Sequence, residues 1–456
     1  MASSFLNLEA LLKEAGLHSS LHSSSSLSPI GSIHLPPPRK TRFLLVGTHA
    51  HQMTGYSKVT YHILQELAKD SAIDLFHFGF QKFAVVPPEY RPYPAGVDVY
   101  DPAGKEREAG QTQEMGFGFS LLPDYVRKVK PDVMMIYNDA GVICRFLDKL
   151  DEVLSPAERT YKTLIYLDQV FLLQRPELLA RIDRVADAYF AFTAYWREIL
   201  AKQGITKPIH VLRHGFDPTQ FRVMDRKALR EKHKIPEHVI LLLNLNRNTP
   251  RKRYDLVLIA FAELVTRNPT KPLALMAVCD IGQGGGYPIQ EIYVRELEKL
   301  GANPQQHLHK LMIVQQALTF TDEVINELYC MSDIGITAAE GEGFGLCQFE
   351  AMGVGIPQVC SYVGGFRDFC RDGENSRAVK PKNQYYLSLS ASSVGGVQEL
   401  VDPHELSLAV EDYVMDSDLR RRHGEAARQT VLAYEWSKEV ESLRTVIRSF
   451  PLSFSL

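Results

Sequence analysis

The 456-residue sequence has six cysteines, at 144, 279, 330, 347, 360 and 370, and no CxxC pair among them. Neither a disulfide scaffold nor a thiolate zinc site finds its spacing here, so buried thiols in a reducing compartment are expected. No run of about 18 apolar residues occurs that could cross a membrane as a helix. The opening MASSFLNLEALLKEAG has no basic stretch leading into a continuous apolar one, which points to a cytoplasmic enzyme. There is no excess of basic charge either: the formal net charge is -3. Nucleic-acid binding through phosphate contacts needs a clustered basic surface and is not expected. The first strand-to-helix loop lacks a full Gly-x-Gly-x-x-Gly followed by an acid about 20 residues later, which argues against a dinucleotide oxidoreductase. No Asp-x-Asp stands at a strand end, so no metal is expected.

Apolar material is plentiful, at 45% hydrophobic residues against 23% charged, and a chain of this length is expected to form two or three domains. Residues 1–40 read as a Ser- and Pro-rich, weakly ordered leader. Leu6, Leu8, Leu11 and Leu12 fall near helical spacing and offer a face for a partner or a membrane surface. From Arg42 onward, short apolar runs alternate with helical patterns. Strands are expected at FLLVG and then at 133–137, 163–167, 188–192 and 210–212, spaced for crossover helices in one parallel sheet. After a charged stretch and Pro236, a second series follows at 239–245, 273–278, 311–314, 334–337 and 358–360. The expected fold class is α/β, with two Rossmann-like doubly wound lobes, 41–232 and 233–430, facing a crevice. A last helix, 431–456, crosses back to the first lobe. Open parallel sheets bind ligands beyond the carboxyl ends of their strands, which places the site in that crevice.

The densest chemistry lies at DIGITAAEGEGFGLCQFEAMGVGIP, residues 333–357. It reads strand, glycine-rich loop, helix. Gly341, Gly343 and Gly345 let backbone approach a ligand, and the helix that follows aims unpaired N–H groups and its dipole at the same place, as a phosphate requires. At a rise of about 1.5 Å per residue, Glu350 stands roughly 7 Å along from Gly345, within reach of a ribose on that phosphate. Glu342 stays in the loop. Two acids at this spacing alone would read equally as a favourable helix start.

The whole string resembles the signature of retaining glycosyltransferase family 4, the glycosyl transferases group 1 with the GT-B fold. In that signature two glutamates, here Glu342 and Glu350, enclose Gly-Phe-Gly-Leu and continue into Glu-Ala-Met. The resemblance implies that Glu342 meets hydroxyls of the transferred sugar, that Glu350 accepts from the ribose, and that backbone at Gly343, Phe344, Gly345 and Leu346 supports the diphosphate. A second match, NRNTPRKRYDLVLIAF at 246–261, looks like the family's Gly-Arg-Leu…Lys-Gly segment and puts Arg247 and Lys252 on its diphosphate-holding positions. Arg253 replaces the usual glycine there. Arg251 and Arg253 can also be read as ordinary solvated charges. The loop THAHQMTGYS, with Gly55 as the close-approach residue, and the strand-end segment RHGFD at 213–217 extend the likeness into the first lobe. Further matches at 362–375, where Asp368 stands for the commoner glutamate, and near Trp436 carry it across about 41–450.

One family feature is missing. Many relatives carry a histidine at a strand end in the first lobe, near the acceptor, whereas this chain gives Asn138-Asp139 and Asp168. Asn138, Asp139 and Asp168 become the candidate acceptor-side groups, or they cap strand ends and turns; His49 and His51 are alternative donors. The resemblance thus implies transfer of a sugar from a UDP- or GDP-sugar to an unidentified sugar, lipid or protein acceptor with retention of configuration, without cofactor or metal. Catalytic roles fall to Glu342, Arg247, Lys252, Asp168 and Asp139. A nucleotide-sugar epimerase, a sugar phosphorylase and a non-enzymatic interaction protein on a transferase scaffold remain open. The stretch 383–399 interrupts the family pattern and is expected to reach the crevice or to pack on its rim.

Overall fold

The computed structural model describes residues 39–83, 89–110, 113–281, 286–315, 319–387 and 394–450. The leader, with its expected helix and any membrane or partner contact, lies outside the described residues.

The first lobe is built on seven parallel strands: β1 (Thr41–Thr48), β2 (Ile73–Phe80), β3 (Asp98–Tyr100), β4 (Val133–Asn138), β5 (Lys162–Leu167), β6 (Ala188–Ala191) and β7 (Ile209–Val211). Their order is β3-β2-β1-β4-β5-β6-β7. In register, Phe43 stands beside Leu75 on one side and Val133 on the other. The second lobe has six: β8 (Ile240–Leu245), β9 (Leu273–Val278), β10 (Leu311–Val314), β11 (Ile334–Thr337), β12 (Gln358–Ser361) and β13 (Ser376–Val379). These run in the order β10-β9-β8-β11-β12-β13, again all parallel. Central strands such as β4 and β9 are buried along their whole length, which is why they read as unbroken apolar runs rather than alternating ones. β2 breaks that rule. Its IDLFHFGF places Asp74 between aliphatic residues and His77 and Gly79 between aromatic ones, and the pattern-based expectation skips it, although Phe78 and Phe80 are buried.

In each sheet the winding reverses once, between β1 and β4 and between β8 and β11. Loops diverge there and leave room for a ligand at the carboxyl ends. Helices fixed by local caps begin at these points. Thr54 and Ser57 form a reciprocal capping box at α1 (Gly55–Leu67), and the Asp139 carboxylate accepts from the Val142 amide at 3.0 Å to start α2 (Ala140–Val153). Three second-lobe helices matter below: α3 (Tyr254–Arg267), α4 (Asp322–Met331) and α5 (Leu346–Gly353).

The lobes are tied together away from the cleft. The last helix, α6 (Trp436–Ser449), lies against α1, with Trp436 stacked on His62 at 4.7 Å and Arg444 donating to the Glu66 carbonyl at 2.9 Å. The helix Arg226–Lys232, assigned by sequence to the first lobe, packs on the second instead. Arg230 donates to the Met331 carbonyl at 2.9 Å and pairs with Asp333 at 2.7 Å. The lobe change therefore falls near 225 rather than 232.

The stretch that interrupts the family pattern forms an antiparallel hairpin, β14 (Asn383–Leu387) with β15 (Gly396–Leu400), whose 388–393 connection lies outside the described residues. It packs on the rim and spans both lobes. The Val397 amide donates to the Leu172 carbonyl of the first lobe at 2.7 Å, and Tyr385 donates to Glu340 of the second at 2.6 Å.

Candidate active site

The two switch points enclose a cleft of about 530 Å³. Of the site residues singled out in the sequence, these line it: Gly55, Asp139 and Asp168 from the first lobe, and Arg247, Lys252, Glu342, Gly343, Phe344, Gly345, Leu346 and Glu350 from the second. What each contributes differs from side to side.

On the second-lobe side the chain runs from β11 into the glycine-rich loop and then α5. Gly345 takes φ +97°, a left-handed conformation in which a Cβ would collide with the Phe366 ring, so glycine is required. No side chain caps α5, so its first amides and the positive end of its dipole are left for a ligand in the cleft. The Phe344 ring packs inward against His214 and Phe349, so this residue offers the cleft its backbone. The loop is anchored from the opposite lobe: Trp196 Nε1 donates to the Gly343 carbonyl at 2.8 Å.

Glu342 is buried between two cations. Lys252 Nζ donates to its carboxylate, and Arg251 stands 3.4 Å away. Burial works to raise its pKa, but the Lys252 and Arg251 charges outweigh that and hold the carboxyl below the usual range. Arg247 is exposed and makes no ion pair among the described residues. Two cations thus hold one carboxylate beside an open helix start, and Arg247 lines the same cleft. Arg253, in contrast, turns away to Asp255 at 2.7 Å and Glu340 at 3.2 Å.

Glu350 is less available than its position in the motif suggests. It accepts from Lys58 Nζ at 2.6 Å and from the Tyr329 hydroxyl at 3.0 Å. Lys58 also reaches Asp322 at 3.0 Å, and Arg91 clamps Asp322 with contacts of 2.7 to 3.1 Å. Sequence reasoning missed this buried four-charge cluster, in which first-lobe cations meet second-lobe anions. Lys58 follows the THAHQMTGYS loop directly, and its place one turn inside a helix that faces the cleft was the available signal. Arg91 and Asp322 belong to no motif. Burial disfavours the Lys58 ammonium, but Glu350 and Asp322 outweigh it and raise its pKa above the ordinary value.

The first-lobe side carries acids and neutral groups. Asp168, just past β5, accepts from the Tyr56 hydroxyl through Oδ2, while its Oδ1 is buried without a partner. Burial pushes this carboxyl up to about 6, with Tyr56 and Arg251 opposing and Asp139 and Glu342 reinforcing the rise. A Cβ on Gly343 would collide with Asp168 Oδ1, so the glycine brings the second lobe's loop against this carboxylate. Asp139 spends its side chain largely on capping α2. The alternative histidines are not cleft-lining: His49 and His51 pack on Tyr93 with ring separations of 5.4 and 5.3 Å. Burial pushes His49 down to about 2, so it stays neutral. An imidazole does line the cleft at His214, where the sequence pointed only to fold. Both of its nitrogens are buried without partners, and burial lowers its pKa to about 3.

Residues 225–430 match the family model described as glycosyl transferases group 1. The second lobe is a glycosyl transferases group 1 domain. Among curated proteins, this chain is 28% identical over 239 residues to D-inositol 3-phosphate glycosyltransferase 2 of Catenulispora acidiphila, a match covering 51% of each. A second D-inositol 3-phosphate glycosyltransferase, from Geodermatophilus obscurus, is 27% identical over 50% of this chain and 44% of its own. The chain thus spans about half the length of the curated relatives it matches. Among solved structures, sucrose-phosphate synthase from Thermosynechococcus elongatus superposes with a TM-score of 0.63 at 16% identity, covering 90% of this chain and 98% of that one. Anabaena HepE in complex with UDP and glucose gives 0.64 at 14% identity, covering 90% and 100%. The group 1 domain and the first lobe together form the two-lobed GT-B fold. Among the described residues no helix is long and apolar enough to cross a membrane.

Proposed function

We propose that this chain is a glycosyltransferase that moves a sugar from a nucleoside diphosphate sugar to an acceptor hydroxyl with retention of configuration and without a metal. The observation that carries the reading is the pairing of Lys252 and Arg251 with Glu342, with Arg247 lining the same cleft, beside the uncapped start of α5. A diphosphate brings negative charge that these cations and helix amides match, and charge grows there as the sugar leaves. Fixed donors aimed at that growth lower the barrier most. Glu342, held ionised by its two cations, accepts from hydroxyls of the transferred sugar. Glu350 keeps lone pairs for the ribose beside Lys58 and Tyr329.

In the proposed step the acceptor oxygen bonds to the anomeric carbon as the carbon–phosphate oxygen bond breaks, and the acceptor proton passes to the leaving diphosphate. No protein base is required. Asp168 borders the sugar on the first-lobe side, where many relatives place an imidazole. The relatives' glycosyltransferase names and the UDP-bound structural neighbour support this reading. All six cysteines are free, and five are buried, which suits a cytoplasmic setting.

The test is release of nucleoside diphosphate from UDP- and GDP-sugars by the purified chain, with product analysis separating transfer from epimerisation. Native protein turns over, whereas Glu342→Gln and Lys252→Ala lose about 100-fold or more, the scale of removing one preorganised charge-stabilising group. Unchanged turnover in both variants would sink the assignment.

A further inference from the structure

If the second lobe holds the donor, the acceptor must approach the sugar along the first-lobe wall, and the charges on that wall decide what can approach. Among the described cleft-lining residues of the first lobe the cations are Lys58 and Arg91, and both are committed to Asp322, Lys58 to Glu350 as well. The internal segments outside the described residues, AVVPP at 84–88 and QT at 111–112 in this lobe, contain no charged residue. Lys82, beside the cleft-lining Gln81, pairs with Asp101 at 3.7 Å. His49 and His51 are both pushed toward the neutral form by burial. The anions are differently placed. Asp168 is buried in the wall with Oδ1 unpartnered and in line with Gly343 of the donor loop. Asp139 stands at the end of the adjoining strand β4 and lines the same wall. Around them are Asn138, Tyr137, Phe117 and Val170.

A phosphate or carboxylate on an acceptor held along this wall would therefore meet two carboxylates and, among the described residues, no uncommitted first-lobe cation. We infer that the acceptor is an uncharged hydroxyl compound, a polyol or sugar with no phosphate, sulfate or carboxylate next to the reacting hydroxyl. This rests on the transfer reading above. A neutral polyol brings no like charge against these carboxylates and stacks its C–H faces on the aromatic rings. The inference sets the chain apart from relatives that are named for D-inositol 3-phosphate.

Asp168 is faced by Tyr56 from α1, Asp139 from β4, Arg251 from the turn after β8 and Glu342 from the glycine-rich loop. Titration of its carboxyl near pH 6 gives the test a second readout.

The experiment uses the full chain and reads acceptors as matched pairs, inositol against D-inositol 3-phosphate and glucose against glucose 6-sulfate. Nucleoside diphosphate release from UDP- and GDP-sugars is measured with and without acceptor; its absence throughout sinks the transfer reading itself. With release established, the neutral member of each pair is expected to show at least about tenfold higher kcat/KM, equivalent to about 1.4 kcal/mol. Asp168→Asn, combined with the cap-preserving Asp139→Asn, brings that ratio toward one. Acidifying from pH 7.5 to 5 shrinks the penalty on glucose 6-sulfate, because the sulfate ester keeps its charge while Asp168 takes up a proton. Equal or better use of the charged members, no discrimination in either pair, or a ratio that neither the variants nor pH moves overturns the inference and leaves transfer standing.

Discussion

The two walls of the cleft are built by different rules. The second-lobe wall concentrates most of its chemistry in two contiguous strings, at 246–252 and 342–350, and presents cations and open helix amides beside Glu342. The first-lobe wall gathers single residues from the ends of β1, β4, β5 and β7, and presents acids, amides and rings. A diphosphate demands the same fixed counter-charges whatever sugar it carries, so the first design is compact and repeated. An acceptor makes its own demands, and scattered side chains can meet them one at a time.

The largest effects should come from the donor side. Losing Lys252 or Glu342 is expected to lower kcat/KM by two to three orders of magnitude, about 3–4 kcal/mol, at little change in fold. Comparable losses from Asp139→Asn would break the asymmetry. Next is the cluster that joins the walls. Lys58→Met leaves Glu350 and Asp322 buried with one cation fewer, and stability should fall by about 3 kcal/mol, the scale for breaking a buried pair, as measured by chemical denaturation. A fall below about 0.5 kcal/mol would show these charges to be solvated, like an exposed pair.

Asp168 should act in the opposite direction. With its carboxyl raised to about 6, ionisation opposes folding. The favourable contribution is complete below the unfolded range near 3.9 and is lost as pH rises through 6, so the native chain carries the full penalty above that. Asp168→Asn should therefore melt higher than the native protein at pH 7.5, by on the order of 2 kcal/mol, and the gain should close toward pH 4. A gain independent of pH would contradict the raised pKa. The smallest effect belongs to Trp196→Phe. It removes the Nε1–H bond to the Gly343 carbonyl and should cost about 1 kcal/mol, together with a few-fold rise in the KM for donor.

The same contrast explains what could be read without coordinates. The βα alternation and the continuous apolar runs revealed most strands of both sheets, because strands buried on both faces leave no other pattern. β2 escaped through its interrupted aromatic run, and the 383–400 hairpin escaped because its β14 half, NQYYL, is mostly exposed. At the site, Glu342, Gly343 and Gly345 stood out because a glycine-rich turn between a strand and a helix has a backbone reason to be there, whereas Arg247 and Lys252 were picked out by likeness to the family's Gly-Arg-Leu…Lys-Gly segment. Lys58, Arg91 and Asp322 did not, since their meaning arises only when α1 of one lobe meets α4 of the other. His214 was visible but read as a fold marker. Its place in the cleft lining and its buried, unpartnered nitrogens are tertiary properties.

The account turns on the claim that a nucleoside diphosphate sits against Arg247, Lys252 and the start of α5. Calorimetric titration of the full chain with UDP and GDP, at two salt concentrations, tests this directly, with Arg247→Ala and Lys252→Ala beside the native protein. Binding of at least one nucleotide, weakened about tenfold or more in each variant and by added salt, is the result predicted. Native binding of neither, or affinities that neither substitution changes, would contradict it.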